Sequence, residues 1–288
     1  MPILDHKIDF AVIFSVSNAN PNGDPFNGNR PRQNFDGKGE MSDVAIKRKI
    51  RNRLQDMGES IFVQSNDRRT DAYKSLKERA EGVEELEKIM KSKTGSSEQF
   101  AQVASDNWID VRSFGQVFAF KADSKGNGVS VGVRGPVSVH PAISIDPIDI
   151  TSLQITKSVN SESTGKEKSS DTMGMKHRVD SGVYIFYGSI NTQLAEKTGF
   201  TYKDATKIKE ALRTLFENDV SSARPEGSME VRRVYWWEHS SKLGQYSSAK
   251  VHRSLLTENL QHEAKAFEDY SFQILPLEGL KVEVLDGI

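Results

Sequence analysis

Cysteine is absent from the 288 residues. That excludes disulfides, thiolate zinc sites and cysteine nucleophiles, and it accords with a cytosolic location. Long apolar runs are missing too, and the start, MPILDHKIDF, has no basic segment leading into an apolar one, so a cytoplasmic protein with no membrane partner is expected. There is no excess of positive charge: 39 Lys and Arg stand against 40 Asp and Glu, a net charge of −1. Attraction of the whole molecule to a polyanion is thereby excluded, and any such role has to come from a local patch. The length and the 36% hydrophobic content allow a sizeable core, in one elaborated domain or two small ones.

The familiar catalytic signatures are also wanting. Gly23 and Gly28 have the spacing of a phosphate loop, but Asn29-Arg30 stands where Lys-Ser/Thr is required. Gly37-Lys38-Gly39 lacks the third glycine of a dinucleotide fingerprint, and His262-Glu263 has Ala266 where a metalloprotease helix needs its second His. The six His stand singly and no nucleophile elbow is present. No catalytic residue, metal site or cofactor is expected. The one chemistry left open is metal-assisted hydrolysis by Asp24 or Asp36, although Asp in an Asn/Gly/Pro loop is ordinarily a turn former.

What is there centres on Phe10–Leu54. Ile8, Phe10, Val12, Phe14 and Val16 alternate with Asp9, Ala11, Ile13 and Ser15, the period of a strand. Both of its faces carry apolar residues, which makes it an inner strand. Ser17 to Met41 reads as a loop with six Asn, four Gly and three Pro, and loops of this length are usually functional or disordered. So many turn formers favour an ordered binding loop, with a structural loop as the alternative. A helix follows, with Ser42 as N-cap, Asp43 in its first turn and Ile46, Ile50, Leu54 and Met57 in one stripe. Lys47, Arg48 and Arg51 flank the stripe on one side and Lys49 and Arg53 on the other, five cations in seven residues with no acid among them. Such neighbours repel by a few tenths of a kcal/mol per pair. An anionic partner would relieve this, and the preceding Gly/Asn loop and the helix N-terminus favour phosphate. A merely solvated basic face is the other reading.

Residues 59–105 are charge-mixed and suggest short exposed helices inserted beside the main sheet. Trp108–Phe120 and Val129–His140 read as β-rich, with Arg112 and Arg134 each placed in an apolar strand, either ion-paired or reaching a phosphate. Ser152–Val159 reads as a strand, Asn160–Thr172 has no apolar residue, and MGMKHRVDSG returns into VYIFYGSI. Strand, polar tip and return describe a protruding hairpin or a mobile loop, bearing Lys166, Lys168, Lys176, His177 and Arg178. Thr201–Asn218 is the clearest helix, with an approximate Thr201/Asp204 capping box. Met229–Trp237 reads as a strand and Tyr270–Leu285 as a terminal hairpin bent at Leu-Glu-Gly-Leu. The order of elements fits an α+β fold, an antiparallel sheet backed by two helices as in ferredoxin-like or RNA-recognition-motif proteins, with large insertions.

Asn20-Pro21-Asn22-Gly23-Asp24-Pro25, Asn29-Arg30-Pro31-Arg32 and Ser42–Arg51 resemble the backbone subunit of CRISPR Cascade complexes, a branch of the RAMP superfamily. The likeness is greatest to the type I-C version, the seventh Cas protein family in its Csd branch. Arg134-Gly135-Pro136-Val137 and Ile155-Thr156-Lys157-Ser158-Val159 agree with it. The resemblance implies an RRM-like palm (1–58, 106–150 and 183–288), a helical finger insertion (59–105) and a thumb hairpin (150–182). It implies a non-catalytic subunit of an antiviral ribonucleoprotein complex. Several copies would form a helical filament along one crRNA, each thumb reaching the next copy and flipping out a nucleotide, with the spacer left to pair with target DNA. Asn18, Asn20, Asn22, Gly23, Arg30, Arg32, Lys47, Arg48, Lys49, Arg51, Arg53, Arg112, Arg134 and Lys157 would be the RNA-binding set. Lys166, Lys168, Met173, Met175, Lys176 and His177 would meet a neighbour or nucleic acid. Other Cascade subunits, of the fifth, eighth and eleventh Cas families, would be partners. The alternative it leaves is a metal-dependent ribonuclease of the type III backbone kind, using Asp24 or Asp36. A subunit that accepts any guide reads phosphates and shape rather than bases.

Overall fold

The alternation at the start of the chain forms strand β1 (Ile8–Ala19). In the computed structural model, which describes residues 2–92, 96–121, 129–156 and 173–288, the elements that follow come in this order. The first group is β2 (Gly23–Asp24), β3 (Arg30–Gln33), β4 (Lys38–Met41) and α1 (Asp43–Asp56). Next come α2 (Leu76–Glu81), α3 (Glu84–Lys91), α4 (Ser97–Asn107), α5 (Ile109–Phe114), β5 (Gly115–Phe120) and β6 (Val129–Arg134). Then follow β7 (Val137–Val139), β8 (Ala142–Pro147), β9 (Ile150–Thr156), β10 (Met173–Ile190), α6 (Thr192–Thr198) and α7 (Tyr202–Arg213). The chain closes with β11 (Met229–Glu238), α8 (Ser248–Arg253), β12 (Leu255–Asn259), β13 (Tyr270–Ile274) and β14 (Val282–Asp286).

The main sheet is antiparallel and runs β14-β11-β1-β10-β8-β4-β3-β2, with β7 and β9 also on β10. β1 lies between β10 and β11, which explains its two apolar faces. Phe10, Val12, Phe14 and Val16 pack with Ile46, Ile50 and Leu54 of α1 and Ile208 and Leu212 of α7. Ala11 and Ile13, on the other face, join Trp237, Val251 and Leu255 under α8 and the β12–β13 hairpin. Each large buried apolar side chain contributes roughly 1.5–3 kcal/mol. No helix among the described residues is long and apolar enough to cross a membrane.

The helices expected in 59–105 are present and have a core of their own. Phe62 lies 4.7 Å from Trp108 and 5.0 Å from Phe118, ring centre to ring centre. Phe100, Leu86 and Val131 complete this third cluster, so the β5–β6 hairpin packs with α2–α5.

Three expectations change. The β-rich reading of Trp108–Phe114 fails: the segment is α5, whose inward residues Ile109, Val111 and Ser113 are buried and which Gly115 ends at φ +77°. Apolar residues at every second position fit a short buried helix as well as a strand, and tertiary packing decided. The loop of 17–41 is largely strand, and β4 pairs with β8 to extend the sheet. The terminal hairpin does not form, because β13 pairs with β12 while β14 takes the free edge of β11.

Candidate nucleic-acid interface

The Asn/Gly/Pro stretch is held by its own side chains. The amide of Asn20 donates to the Asn29 carbonyl at 2.6 Å. The Asn22 side-chain oxygen accepts from Ser42 N at 2.9 Å and Ser42 Oγ at 3.0 Å. Ser42 in turn caps α1 through Ala45 N at 3.3 Å. Asn22 thus fixes the β2–β4 region to the first turn of the basic helix. Asp24 accepts from Phe26 N at 3.2 Å and stands 3.7 Å from Arg32 Nη2, so here it is a turn cap and an ion-pair partner. Gly28 and Asn29 close the turn with φ +58° and +57°. Gly23 is required by space: a Cβ there would meet the Asn29 carbonyl at 2.9 Å. Asp36 sits at the opposite end of β3, in a turn where its own amide donates to Asn34 Oδ1 at 3.0 Å.

This region meets the root of the β9–β10 arm. Arg30 Nη1 donates to Ser152 Oγ at 2.9 Å, and Ser152 Oγ lies 2.8 Å from His177 Nδ1. A guanidinium only donates, so the Ser152 oxygen accepts from Arg30 and stands between that group and the His177 ring. Register pairs Met173 with Thr156, Met175 with Gln154 and His177 with Ser152, so strand alternation puts those six on one side. Met173 and Met175 are 51% and 55% exposed. Lys176 is exposed on the other side beside Arg178, whose Nε is 3.4 Å from Asp180. The candidates Lys157, Lys166 and Lys168 lie outside the described residues.

The basic helix α1 finds partners for its cations within the chain, three of them carboxylates. Arg51 Nε is 2.9 Å from Asp110 Oδ2, with its guanidinium 5.0 Å from the Phe114 ring centre. Arg48 donates to the Val63 carbonyl at 2.6 Å. On the other flank Lys49 pairs with Asp219, and Arg53 donates to Thr214 Oγ1 at 2.7 Å. Lys47 takes Asp43 one turn earlier at 3.0 Å. The cations therefore tie α1 to the helical insertion on one side and to the segment after α7 on the other. Arg112 is committed likewise: Nε and Nη2 chelate Asp204 at 3.0 and 2.8 Å, and Nη1 donates to the Ser105 carbonyl at 2.6 Å. Arg134 is exposed at the end of β6, and Asn18, at φ +52°, is exposed at the end of β1.

Burial pushes the Lys49 ammonium down to about 8, against the pull of Asp219. Between that value and its ordinary 10.5 the unfolded chain holds a proton that the folded chain has lost, so stability at this site rises with pH. The unfolding free energy of the protein from urea titration, measured against a Lys49→Met variant, should climb between pH 8 and pH 10.5 by an amount on the order of 3 kcal/mol. A gap that stays flat across that window would contradict the assignment.

Three contributors had little or no signal in the sequence. Ser152 had none. Asp110 was legible only as a lone acid inside the apolar run Trp108–Val111. Phe26 was an isolated aromatic among turn formers, and it is fully solvent-exposed.

The fold defines a mixed α/β protein with a large antiparallel sheet, and the 20–33 region and the β9–β10 pair bring Arg30, Ser152 and His177 together on its surface. The chain matches the family described as CRISPR-associated protein Cas7 over residues 6–275 and belongs to that family. A relative from Haloferax volcanii described by the same words is 26% identical over 233 residues, covering 75% of this chain and 66% of the relative, just under two thirds of its length. A chain of a solved "CRISPR RNA-guided surveillance complex" aligns at 18% identity and TM-score 0.44, over 80% of this chain and 68% of its own. Another, titled "CRISPR RNA-guided surveillance complex, pre-nicking", aligns at 15% identity and TM-score 0.45, over 80% of this chain and 75% of its own.

Proposed function

We propose that the chain is a non-catalytic, RNA-binding backbone subunit of a type I-C CRISPR interference complex, several copies of which assemble along one crRNA and leave its spacer to pair with target DNA. The observation that carries this reading is the convergence of two segments more than a hundred residues apart, the 20–33 region and the arm root, into one surface through Arg30, Ser152 and His177. Membership of the Cas7 family supports it. The palm would be the β11-β1-β10-β8 portion of the sheet with α1 and α7, an arrangement compatible with the ferredoxin-like order. Residues 59–105 would be fingers and 150–182 the thumb. Arg30, Arg32 and His177 would hold guide phosphates, with Lys47 and Asn18 as further contacts, and Lys176, on the other side of the arm, would meet a neighbouring copy or nucleic acid. Lys49, Arg51 and Arg112 would shape that surface from behind, because their donors are spent on internal carboxylates. The remaining Cascade subunits would complete the assembly in the cytoplasm.

Binding to single-stranded RNA should weaken with salt at about 0.7 log unit per log unit of salt for each phosphate neutralised. An Arg30→Ala/Arg32→Ala variant should show a slope shallower by about 1.4 and unchanged urea unfolding, since both side chains are partly exposed. Filter binding across a salt series checks it. An unaltered slope would remove both arginines from the interface, and absence of RNA binding by the parent alongside guide and partner subunits would remove the function itself.

A further inference from the structure

Phe26 is 102% exposed, in a turn otherwise made of Pro25, Asn27 and Gly28. A phenyl ring left wholly in water within an ordered turn is a poor use of apolar surface, yet the turn is built to hold it there. Asp24 caps the Phe26 amide at 3.2 Å, Pro25 fixes the first position, and Gly28 ends the turn in the left-handed region. The same turn is seated on the arm, since a Cβ on Gly28 would lie 3.9 Å from His177 Nε2. Arg30 then carries the chain to Ser152 on that side of the arm. Donors for phosphate thus stand on the elements that flank an unpartnered aromatic face, with exposed Met173 and Met175 further along the arm.

Cations along a backbone track with an aromatic ring beside it make the combination that binds single-stranded nucleic acid without regard to sequence, because every base has a π face. We infer that Phe26 is a stacking platform for one nucleobase of the bound RNA, placed next to the phosphate contacts of Arg30 and His177. The inference rests on the RNA-binding reading above and names a contact to a base within it. A base on Phe26 would be gripped by its face, leaving its pairing edge unread.

Alanine substitution removes the base–aromatic stack, so Phe26→Ala should weaken the full chain's binding to a short labelled oligouridylate about ten-fold. The salt slope should not change, because no phosphate contact is lost, and Phe26→Trp should restore affinity. A 2-aminopurine placed in turn along that RNA should be quenched at one position by the parent and not by Phe26→Ala. Since the ring is exposed, urea midpoints of the variants should equal the parent's. If Phe26→Ala binds the short RNA as the parent does, with the same quenching, the inference is overturned. If it binds the short RNA normally but lowers the mass of assemblies on a long RNA, Phe26 docks a second copy of the chain and the inference is again overturned. A parent that binds no RNA defeats the functional reading as well, whereas failure of the variant alone defeats only this contact.

Discussion

Asp110→Ala is expected to lower the unfolding free energy by about 3–5 kcal/mol, the penalty for breaking a buried pair from one side. The carboxylate is wholly buried and fully used. Oδ1 accepts from Phe62 N at 2.7 Å, while Oδ2 accepts from Val63 N at 3.1 Å and Arg51 Nε at 2.9 Å. Its removal orphans two backbone donors and a guanidinium that is only 12% exposed, and each such group carries its own desolvation cost. The effect should be regional as well as global. Amides at 62 and 63 should lose hydrogen-exchange protection first, since the carboxylate joins the insertion to α1. Adding Arg51→Met to Asp110→Ala should recover part of the loss by removing the stranded charge. A loss below about 1 kcal/mol in urea titration would show that water replaces the carboxylate freely, against its complete burial.

Asp9→Asn is expected to cost a comparable amount, about 3 kcal/mol, for a different reason. Asp9 faces the second core, where its carboxylate lies 2.9 Å from His239 Nε2, 3.0 Å from Lys7 Nζ and 3.7 Å from His252 Nε2. Burial opposes its ionisation, but hydrogen bonds from His239, Ser248 and Lys7 outweigh burial and hold the carboxyl below its ordinary 3.8. Burial also pulls the neighbouring His252 down, so that ring favours its neutral form. A depressed carboxyl contributes stability that is present above the unfolded value and disappears as pH falls through the folded one. The gap between parent and Asp9→Asn should therefore be full at neutral pH and narrow as pH falls below about 4. Urea midpoints at neutral and acid pH measure it, and a gap that persists undiminished in acid would refute the ionised assignment.

Legibility in the sequence tracked how local the cause was. β1, the Ser42 cap and the Thr201/Asp204 box depend on residues within a few positions of one another, and all three stand as read. The cations of α1 were read as favouring an anionic partner, and two of them meet Asp110 and Asp219, which lie far along the chain and carry no mark of their destination. The six His were read as solitary, and the fold brings two of them onto Asp9. The joining of the 20–33 region to the arm was equally hidden, because Ser152, the hydroxyl between Arg30 and His177, is one of many serines. Long-range pairing of polar side chains leaves no periodic trace. The face came from local turn chemistry, and its donors were then distributed by tertiary structure.

β10 is one uninterrupted strand from Met173 to Ile190, exposed at its beginning and buried between β1 and β8 further on. Mechanically it is a cantilever with its clamp in the core. No interdomain linker separates the portion that carries Met173, Met175 and His177 from the portion that carries Tyr184 and Phe186. A load on the exposed portion is therefore met as bending and twist along the strand, which the Phe14–Tyr184 stack (ring centres 5.2 Å apart) passes to the middle of the sheet. The orientation of the faces of its exposed portion is consequently set by packing in the main sheet, and softening that packing would reorient Met173, Met175 and His177 without touching any of them.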